Sequence, residues 1–223
     1  MSAAICAGGE VLAHRFEPRT RGHAEALMPM IEAVLEEARL GMADLGALAV
    51  TIGPGTFTGL RVGLAAARGL ALARALPLVG VTTLEAIAAA VEARKGEVIA
   101  AAFDARREEI YFQLFDESHE PLTEPMLIAL EDASSYIPFP RPLVLAGTGA
   151  VLLADVLEGH GSASRMAQAR PQPDALWIAR IAEARMAAHG PDRFRVAPAP
   201  LYLRAPDAKL PGGIALAEAG EGA

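Results

Sequence analysis

The chain has 223 residues, of which 52% are hydrophobic and 5% aromatic, and its formal net charge is −7. A chain of this length can bury one large core or two small ones, and its acidic balance argues against the broad positive field that unaided nucleic-acid binding normally requires. The single cysteine, Cys6, excludes an intrachain disulfide framework, and we expect it to be a small buried residue without chemistry.

The first half of the chain predicts strands and helices in succession. Two strand-like segments flank Gly8-Gly9 and predict a β-hairpin. Residues 24–40 then place apolar side chains at spacings of three and four, which predicts an amphipathic helix that Gly41 ends. The remaining predictions are a strand at 47–52, a helix at 60–76, a strand at 78–81 and a helix at 84–94 that Thr82 or Thr83 caps.

The second half opens with strand-like segments at 97–104 and 109–115 around a charged hairpin loop. Residues 121–142 are interrupted by prolines, 143–150 form a second strand–glycine–helix junction, and 174–189 predict a last helix. The chain after Arg204 is rich in glycine, proline and small residues, which predicts a flexible tail. We therefore predict a mixed α/β sheet in each half, with lobes at 1–96 and 97–204 and a tail at 205–223.

The most informative segment is the glycine-rich turn between the strand at 47–52 and the helix that follows. Its glycines permit close backbone approach, and amides at the start of a helix can hold a phosphate or a carboxylate. A tight connection packed by glycine is the alternative, but such a connection needs neither the aromatic side chain of Phe57 nor the positive charge of Arg61. We interpret the turn as a nucleotide- or partner-binding loop of eight residues: Gly53, Pro54, Gly55, Thr56, Phe57, Thr58, Gly59 and Arg61.

Five motifs, in order along the chain, resemble the bacterial TsaB (YeaZ) family, the dimerisation subunit of the tRNA threonylcarbamoyladenosine machinery. They span nearly the whole chain and are His23–Pro29, Gly53–Ala71, Pro77–Ala86, Phe103–Tyr111 and Pro200–Arg204. The resemblance implies the actin-like (ASKHA), ribonuclease-H-like α/β fold with two related lobes.

The N-terminus departs from that family. The family begins with an apolar strand that ends in an Asp-Thr-Ser-like turn, whereas Met1-Ser2-Ala3-Ala4 stands where the second strand is expected. The resemblance therefore implies that the first strand is missing, and we expect a start codon further upstream. The alternative is a truncated protein that needs a partner to complete its sheet, because an open edge is a liability.

A second departure argues against catalysis. The catalytic paralogue, TsaD (Kae1), carries two histidines four residues apart on a helix, where they can share a metal. Thr83 and Ile87 stand at the matching positions, and no two of the five histidines here lie three to five residues apart. The chain also lacks a Gly-x-Ser-x-Gly elbow and a Walker lysine. We predict no catalytic residue and no metal site.

The resemblance implies a non-catalytic subunit that pairs with and activates TsaD, binds the ATPase TsaE in the complex, forms a homodimer when alone and meets tRNA only through the complex. It implies no tightly bound cofactor, although ATP or ADP could bind at the shared interface. The partner-interface candidates are His23, Glu25, Leu27 and Ile31, which capping and core packing explain equally well.

The competing hypothesis is a stand-alone actin-like nucleotide-binding enzyme, either a degenerate kinase or a peptidase M22-like, metal-dependent hydrolase. In either case we expect a cytoplasmic protein. The N-terminus lacks the basic region and long apolar run of a signal peptide, and no run of about 18 uncharged apolar residues predicts a membrane helix.

Overall fold

A computed structural model describes residues 1–19, 21–137, 140–158 and 163–204. The chain begins with an antiparallel hairpin of β1 (Ser2–Ala7) and β2 (Glu10–Phe16), followed by helix α1 (His23–Ala38). Gly8 and Gly9 form the predicted turn, with φ angles of 59° and 82° that favour glycine. Ala3, Ile5 and other apolar side chains of the hairpin pack against α1.

A strand–helix–strand unit follows, and its two strands pair in parallel. It consists of β3 (Leu48–Gly53), α2 (Phe57–Arg74) and β4 (Leu78–Thr82), and helix α3 (Thr83–Ala89) comes directly after it. Thr82 caps α3 in a capping box with Glu85, as predicted for one of the two threonines. The first half thus contains two separate two-stranded sheets, β1–β2 and β3–β4.

The second half forms one mixed sheet of five strands in the order β7-β6-β5-β8-β9. The strands are β5 (Val98–Arg106), β6 (Glu109–Phe115), β7 (Met126–Ala129), β8 (Leu143–Ala146) and β9 (Ser164–Met166). Helix α4 (Ala150–Leu157) follows β8, and helix α5 (Ala175–His189) follows β9. Short 3₁₀ turns occupy Leu130–Tyr136 and Pro191–Phe194.

The two faces of this sheet form separate cores, because successive strand residues point to opposite sides. Ala100 and Phe112 lie on the face covered by Leu153 of α4, whereas Ile99 lies on the face covered by Ile87 of α3. A helix from the first half of the chain therefore covers one face of the second sheet.

Helix α5 makes the reciprocal crossing. Its residues Ile178 and Ala182 are buried against Val79 and Val81 of β4. Each half of the chain, 1–96 and 97–204, therefore contributes one helix to the core of the other. The boundaries between these halves remain a prediction. The predicted tail, 205–223, lies outside the described residues. Within the described ranges, no helix combines the length and apolar character needed to cross a membrane.

Three predicted helix ends are wrong. Helix α2 ends at Arg74, before the predicted residue 76, because Ala75 takes the left-handed conformation with φ 52°. Helix α1 ends at Ala38, because Arg39 takes the left-handed conformation with φ 57° and closes the helix before Gly41 is reached. Helix α3 ends at Ala89 and does not reach Arg94. The carboxylate of Glu97 accepts the Arg94 amide at 2.7 Å, which holds the following residues in a turn.

Two strands were not predicted, β7 and the short β9. Pro125 directly precedes β7, and the ladder that pairs this strand with β6 gives no local sequence signal. The charged hairpin loop is also tighter than expected, because β5 continues to Arg106 and leaves only Arg107 and Glu108 between the strands.

Candidate functional site

The predicted loop connects β3 to α2, and packing explains one of its glycines, Gly53. Gly53 is buried with φ 109°, and a Cβ added there would lie 2.6 Å from the carbonyl oxygen of Leu201. At Gly59 a Cβ would lie 2.8 Å from Oγ1 of Thr56. The bond between Gly53 and Pro54 is cis. Close backbone approach therefore accounts for Gly53, as the connector alternative requires, whereas the neighbour of Gly59 is a side-chain hydroxyl that can rotate away.

Packing does not account for the exposed side chains of the loop. The Cζ atom of Arg61 lies 3.6 Å above the ring of Phe57, whose centroid is 5.3 Å from that of Tyr202. Phe57 and Tyr202 keep 39% and 43% of their surface exposed. We call these three residues the aromatic–arginine cluster. Large aromatic side chains left at the surface beside a cation are typical of contact surfaces.

The electrostatics of the cluster favour a negative partner. Thr56 occupies the N-cap position of α2, but its side chain makes no capping hydrogen bond, and the first turn of the helix contains no acidic residue. The positive end of the helix dipole is therefore not offset by a carboxylate, and Arg61 adds a full positive charge one turn further on. A phosphate or carboxylate on a partner would be attracted to this end of α2.

A segment near the end of the chain carries Tyr202 to the loop and continues to the second sheet. The Leu201 amide donates to the Ile52 carbonyl at 2.7 Å. The Arg204 guanidinium donates to the Ala105 carbonyl at 2.6 Å and forms a salt bridge with Glu109. The structure thus joins three motifs of the family resemblance in one continuous region.

The hairpin between β5 and β6 agrees with its interpretation as an exposed, salt-bridged loop. The Asp104 carboxylate lies 3.1 Å from the Arg106 guanidinium and accepts the Arg106 amide at 2.8 Å. The Asp104 amide in turn donates to Thr148 Oγ1 at 3.0 Å. Asp104 is therefore engaged in holding the turn.

The second strand–glycine–helix junction, between β8 and α4, is a packed connector. Gly147 has φ 97°, and a Cβ there would lie 2.1 Å from the carbonyl oxygen of Ala102. The Gly149 amide donates to the same carbonyl at 2.9 Å. Glycine is needed here for contact with β5, and no aromatic–arginine cluster accompanies it.

The two positions that the family resemblance matches to the histidines of the catalytic paralogue are inside the protein. Thr83 and Ile87 lie one turn apart on α3 and are 4% and 1% exposed, and Ile87 packs in the core beneath the second sheet. Neither side chain offers an imidazole. Across the described part of the chain, no group of three or more His, Cys, Asp or Glu side chains is arranged to hold a metal ion.

The four partner-interface candidates on α1 do not share one environment. Glu25 is exposed, whereas His23, Leu27 and Ile31 are half-buried and line a cleft inside the first half of the chain. The structure brings none of the four to the aromatic–arginine cluster. Their role at a partner interface remains a prediction.

A polar pair that sequence reasoning missed, with Asp174 buried and His14 half-buried, joins β2 to α5. His14 Nε2 lies 2.6 Å from Asp174 Oδ1, and the same carboxylate oxygen accepts the Leu176 amide at 3.1 Å as the N-cap of α5. The residues lie far apart in the chain, so no local pattern could have paired them. The contact is structural, because Asp174 accepts a hydrogen bond from a free amide at the start of α5 and holds the hairpin against that helix.

Comparison with known proteins defines the class to which this arrangement belongs. A solved structure from Pseudomonas aeruginosa, described as an uncharacterized protein with similarity to peptidase YeaZ, superposes with a TM-score of 0.76 at 26% identity. The match covers 91% of this chain and 94% of that one. The fold is the actin-like, ribonuclease-H-like α/β fold, as predicted.

The family follows from the sequence comparisons. The family model described as TsaD, tRNA N6-adenosine threonylcarbamoyltransferase, matches residues 10–209, and the chain belongs to this family. The Escherichia coli tRNA threonylcarbamoyladenosine biosynthesis protein TsaB is 40% identical over 110 residues, which cover 44% of this chain and 47% of that protein. The tRNA N6-adenosine threonylcarbamoyltransferase of Erythrobacter litoralis is 49% identical over 69 residues, covering 31% of this chain and 20% of that protein.

The predicted resemblance to TsaB (YeaZ) is confirmed by these matches. The matched region spans about half the length of the E. coli relative.

Proposed function

We propose that this chain is a non-catalytic partner subunit for the synthesis of N6-threonylcarbamoyladenosine at position 37 of tRNA, and that it pairs with and activates the catalytic subunit TsaD. One observation carries the proposal. The family match extends over residues 10–209, yet buried Thr83 and Ile87 stand where the family resemblance expects the metal-binding histidines of the catalytic paralogue. A chain with the fold but without those ligands is suited to support the chemistry of a partner.

Within this proposal, the aromatic–arginine cluster is the contact for TsaD or for a nucleotide at the shared interface. Its exposure supports a binding role, and the positive charge of Arg61 beside the start of α2 favours a phosphate or an acidic partner residue. ATP or ADP would then bind at the interface and not to this chain alone.

The remaining partners follow from the same role. TsaE would bind to the composite surface that this chain forms with TsaD, and a homodimer would form when TsaD is absent. With a net charge of −7, the chain would meet tRNA only through the complex. The proposal also implies a cytoplasmic location.

The test is reconstitution of the transfer reaction with the cognate TsaD and TsaE, comparing the wild-type chain with Arg61→Ala and Arg74→Ala. Both arginines are exposed residues of α2, at opposite ends of the helix, so Arg74→Ala controls for the loss of a charge. We expect Arg61→Ala to reduce TsaD-dependent modification by about tenfold, the effect of losing one charged contact. Arg74→Ala should leave it unchanged, and both variants should keep the wild-type melting temperature.

Two outcomes would contradict the proposal. Equal modification by wild type and Arg61→Ala would show that the loop is not a contact for TsaD or for a nucleotide. Failure of the chain to bind TsaD in size-exclusion chromatography with light scattering, together with a thermal shift in ATP and Mg²⁺ or Zn²⁺ alone, would favour the stand-alone enzyme. A ligand at one hundred times its dissociation constant adds about 2.7 kcal/mol to the free energy of unfolding.

A further inference from the structure

Residues 195–204 form a surface segment, within the described range, that contains neither helix nor strand. We call this segment the strap. Near its start the Arg195 guanidinium donates to the Ala75 carbonyl at 2.9 Å. Further along, the Pro198 carbonyl accepts a hydrogen bond from Arg68 of α2 at 2.5 Å. Irregular surface segments are usually the most mobile parts of a fold, whereas specific contacts hold this one in place.

The strap lies close against the parallel strands β3 and β4. A Cβ added at Gly80 of β4 would lie 2.8 Å from the Cβ atom of Pro198, and one added at Gly53 would lie 2.6 Å from the Leu201 carbonyl oxygen. The Leu201 amide donates to the Ile52 carbonyl at 2.7 Å. The first half of the chain therefore fixes the path of the strap as far as Leu201.

The two residues that follow Tyr202 contact the second half of the chain. Leu203 packs beside the core between α3 and the second sheet. The Arg204 guanidinium donates to the Ala105 carbonyl of β5 at 2.6 Å and forms a salt bridge with Glu109 of β6. Its Cζ atom also lies 6.0 Å from the ring centroid of Tyr111. Arg204 thus holds the end of the strap on both strands of one hairpin.

A β-bulge in this hairpin provides the acceptor for Arg204. The register of β5 against β6 shifts between Asp104 and Arg106, so that Ala105 is the extra residue and is left out of the ladder. Ala105 is buried, and a buried carbonyl group requires a hydrogen-bond donor. Arg204 supplies that donor, which makes the contact specific for a side chain with several directed N–H groups.

Tyr202 is the one member of the aromatic–arginine cluster that does not belong to α2. Phe57 and Arg61 lie in the first turns of that helix, whereas Tyr202 stands on the strap between Leu201 and Leu203. Its ring can therefore stay beside Phe57 only while the strap is held on both sides. The first half of the chain provides one hold and Arg204, with Leu203, provides the other.

We propose that Arg204 is a positioning residue for the aromatic–arginine cluster. Its contacts with Ala105 and Glu109 fix the end of the strap and thereby keep Tyr202 against Phe57. Ordering these aromatic side chains before a partner arrives reduces the entropy that is lost on binding. That the cluster serves TsaD rests on the proposed function, whereas the positioning of Tyr202 can be tested on this chain alone.

The simpler alternative is that Arg204 only stabilises the contact between the two halves. It predicts a lower melting temperature without any change in the cluster or in its affinity for a partner. The two explanations differ in local measurements that are made well below the melting temperature.

The first experiment compares wild type, Arg204→Ala and Arg193→Ala as isolated chains. Arg193 is an exposed arginine of the 3₁₀ turn before the strap, so its variant controls for the loss of a positive charge. NMR measures hydrogen exchange of the Leu201 amide and the contact between the rings of Phe57 and Tyr202. We expect Arg204→Ala to speed this exchange by about tenfold and to abolish the ring contact, with Arg193→Ala like wild type.

Two measures keep this experiment decisive if Arg204→Ala is damaged. Amides of β8 serve as the reference for folding and should stay protected in every variant. Glu109→Gln is the milder variant, because it removes the charge that pairs with Arg204 and leaves the Ala105 carbonyl its donor. It should produce the same local changes in smaller size.

The second experiment titrates each variant into the reconstituted reaction with TsaD and TsaE. We expect Arg204→Ala to raise the concentration of this chain needed for half-maximal modification by about fivefold, as expected for lost preorganisation, and to leave the rate at saturation unchanged. In a Tyr202→Ala background, where the positioned ring is absent, Arg204→Ala should add less than about twofold.

Three results would overturn the proposal. In the first, Arg204→Ala leaves the Leu201 amide and the ring contact as in wild type while β8 stays protected. In the second, Arg61→Ala weakens the action on TsaD but Arg204→Ala does not. In the third, Arg204→Ala has the same effect with and without Tyr202. If Arg61→Ala has no effect, the proposed contact with TsaD fails, and the isolated chains alone decide whether Arg204 positions Tyr202.

Discussion

The substitution Glu97→Gln tests the best-defined ion pair of the protein. Glu97 is buried at the start of β5, and its carboxylate accepts two hydrogen bonds from the Arg165 guanidinium, at 2.8 and 2.6 Å, and one from the Arg94 amide at 2.7 Å. The same guanidinium also donates to the Glu92 carbonyl at 2.8 Å. Glutamine keeps the shape of the side chain but loses its charge, and its NH₂ group would face a donor.

The pKa of Glu97 determines how much stability its ion pair contributes and how that contribution depends on pH. The hydrogen bonds from Arg165 are the main cause that lowers the pKa of Glu97 from 4.5 to about 2. That difference corresponds to about 3 kcal/mol, and we expect about 2 kcal/mol because solvent partly screens Arg165. A lowered folded-state pKa means that the unfolded chain takes up the proton first. The stabilisation is therefore complete above about pH 5 and is lost as the pH falls towards 2.

The measurement is urea unfolding of wild type and Glu97→Gln near pH 7 and at lower pH. We expect a difference of about 2 kcal/mol near pH 7, of which about two fifths has disappeared by about pH 3.5. Glu92→Gln is the matched control, because it removes the same charge from an exposed side chain of the same turn and should cost less than about 0.5 kcal/mol. A difference between wild type and Glu97→Gln that stays constant with pH would refute the reasoning.

Two further substitutions test the packing of the fold by thermal unfolding. Asp174→Ala removes the N-cap of α5 together with the buried partner of His14 and should lower the free energy of unfolding by about 2 kcal/mol. Asp155→Ala removes an exposed acid from α4 and should be near neutral. Equal melting temperatures for the two variants would contradict the role of Asp174 as the cap of α5. Gly147→Ala would place its Cβ 2.1 Å from the Ala102 carbonyl at a φ of 97° and should cost about 3 kcal/mol or more, whereas Gly46→Ala meets no atom within 4 Å and should stay within about 1 kcal/mol of wild type. A Gly147→Ala variant as stable as Gly46→Ala would show that the close contact is not present in solution.

Elements with strong local signals were predictable from the sequence. The Gly8-Gly9 turn, the junction at Gly53 and the helix that became α5 all appear where turn chemistry and apolar spacing predicted them. The end of α1 was not predictable in this way, because Arg39 adopts a conformation that usually selects glycine. Strand β7 is likewise specified by its partner strand, since pairing and burial decide short strands more than local propensity does.

The candidate site was predictable only in part. The loop residues, with exposed Phe57 and Arg61, were found from a local motif. Tyr202 was present in a motif near the end of the chain, but its contact with Phe57 depends on the path of residues 198–204 across both lobes. The pairing of His14 with Asp174 could not be predicted for the same reason, because contacts between distant segments leave no periodicity in the sequence.

The crossing of α5 to the first lobe affects the order in which the protein can form during translation. The apolar surface of β4, including Val79 and Val81, is covered by Ile178 and Ala182 of a helix that ends only at His189. The ribosome must therefore synthesise almost the whole chain before the first lobe can bury this surface. Until then the nascent chain exposes β4 to chaperones and to self-association, and a fragment that stops at residue 96 would keep that surface exposed permanently.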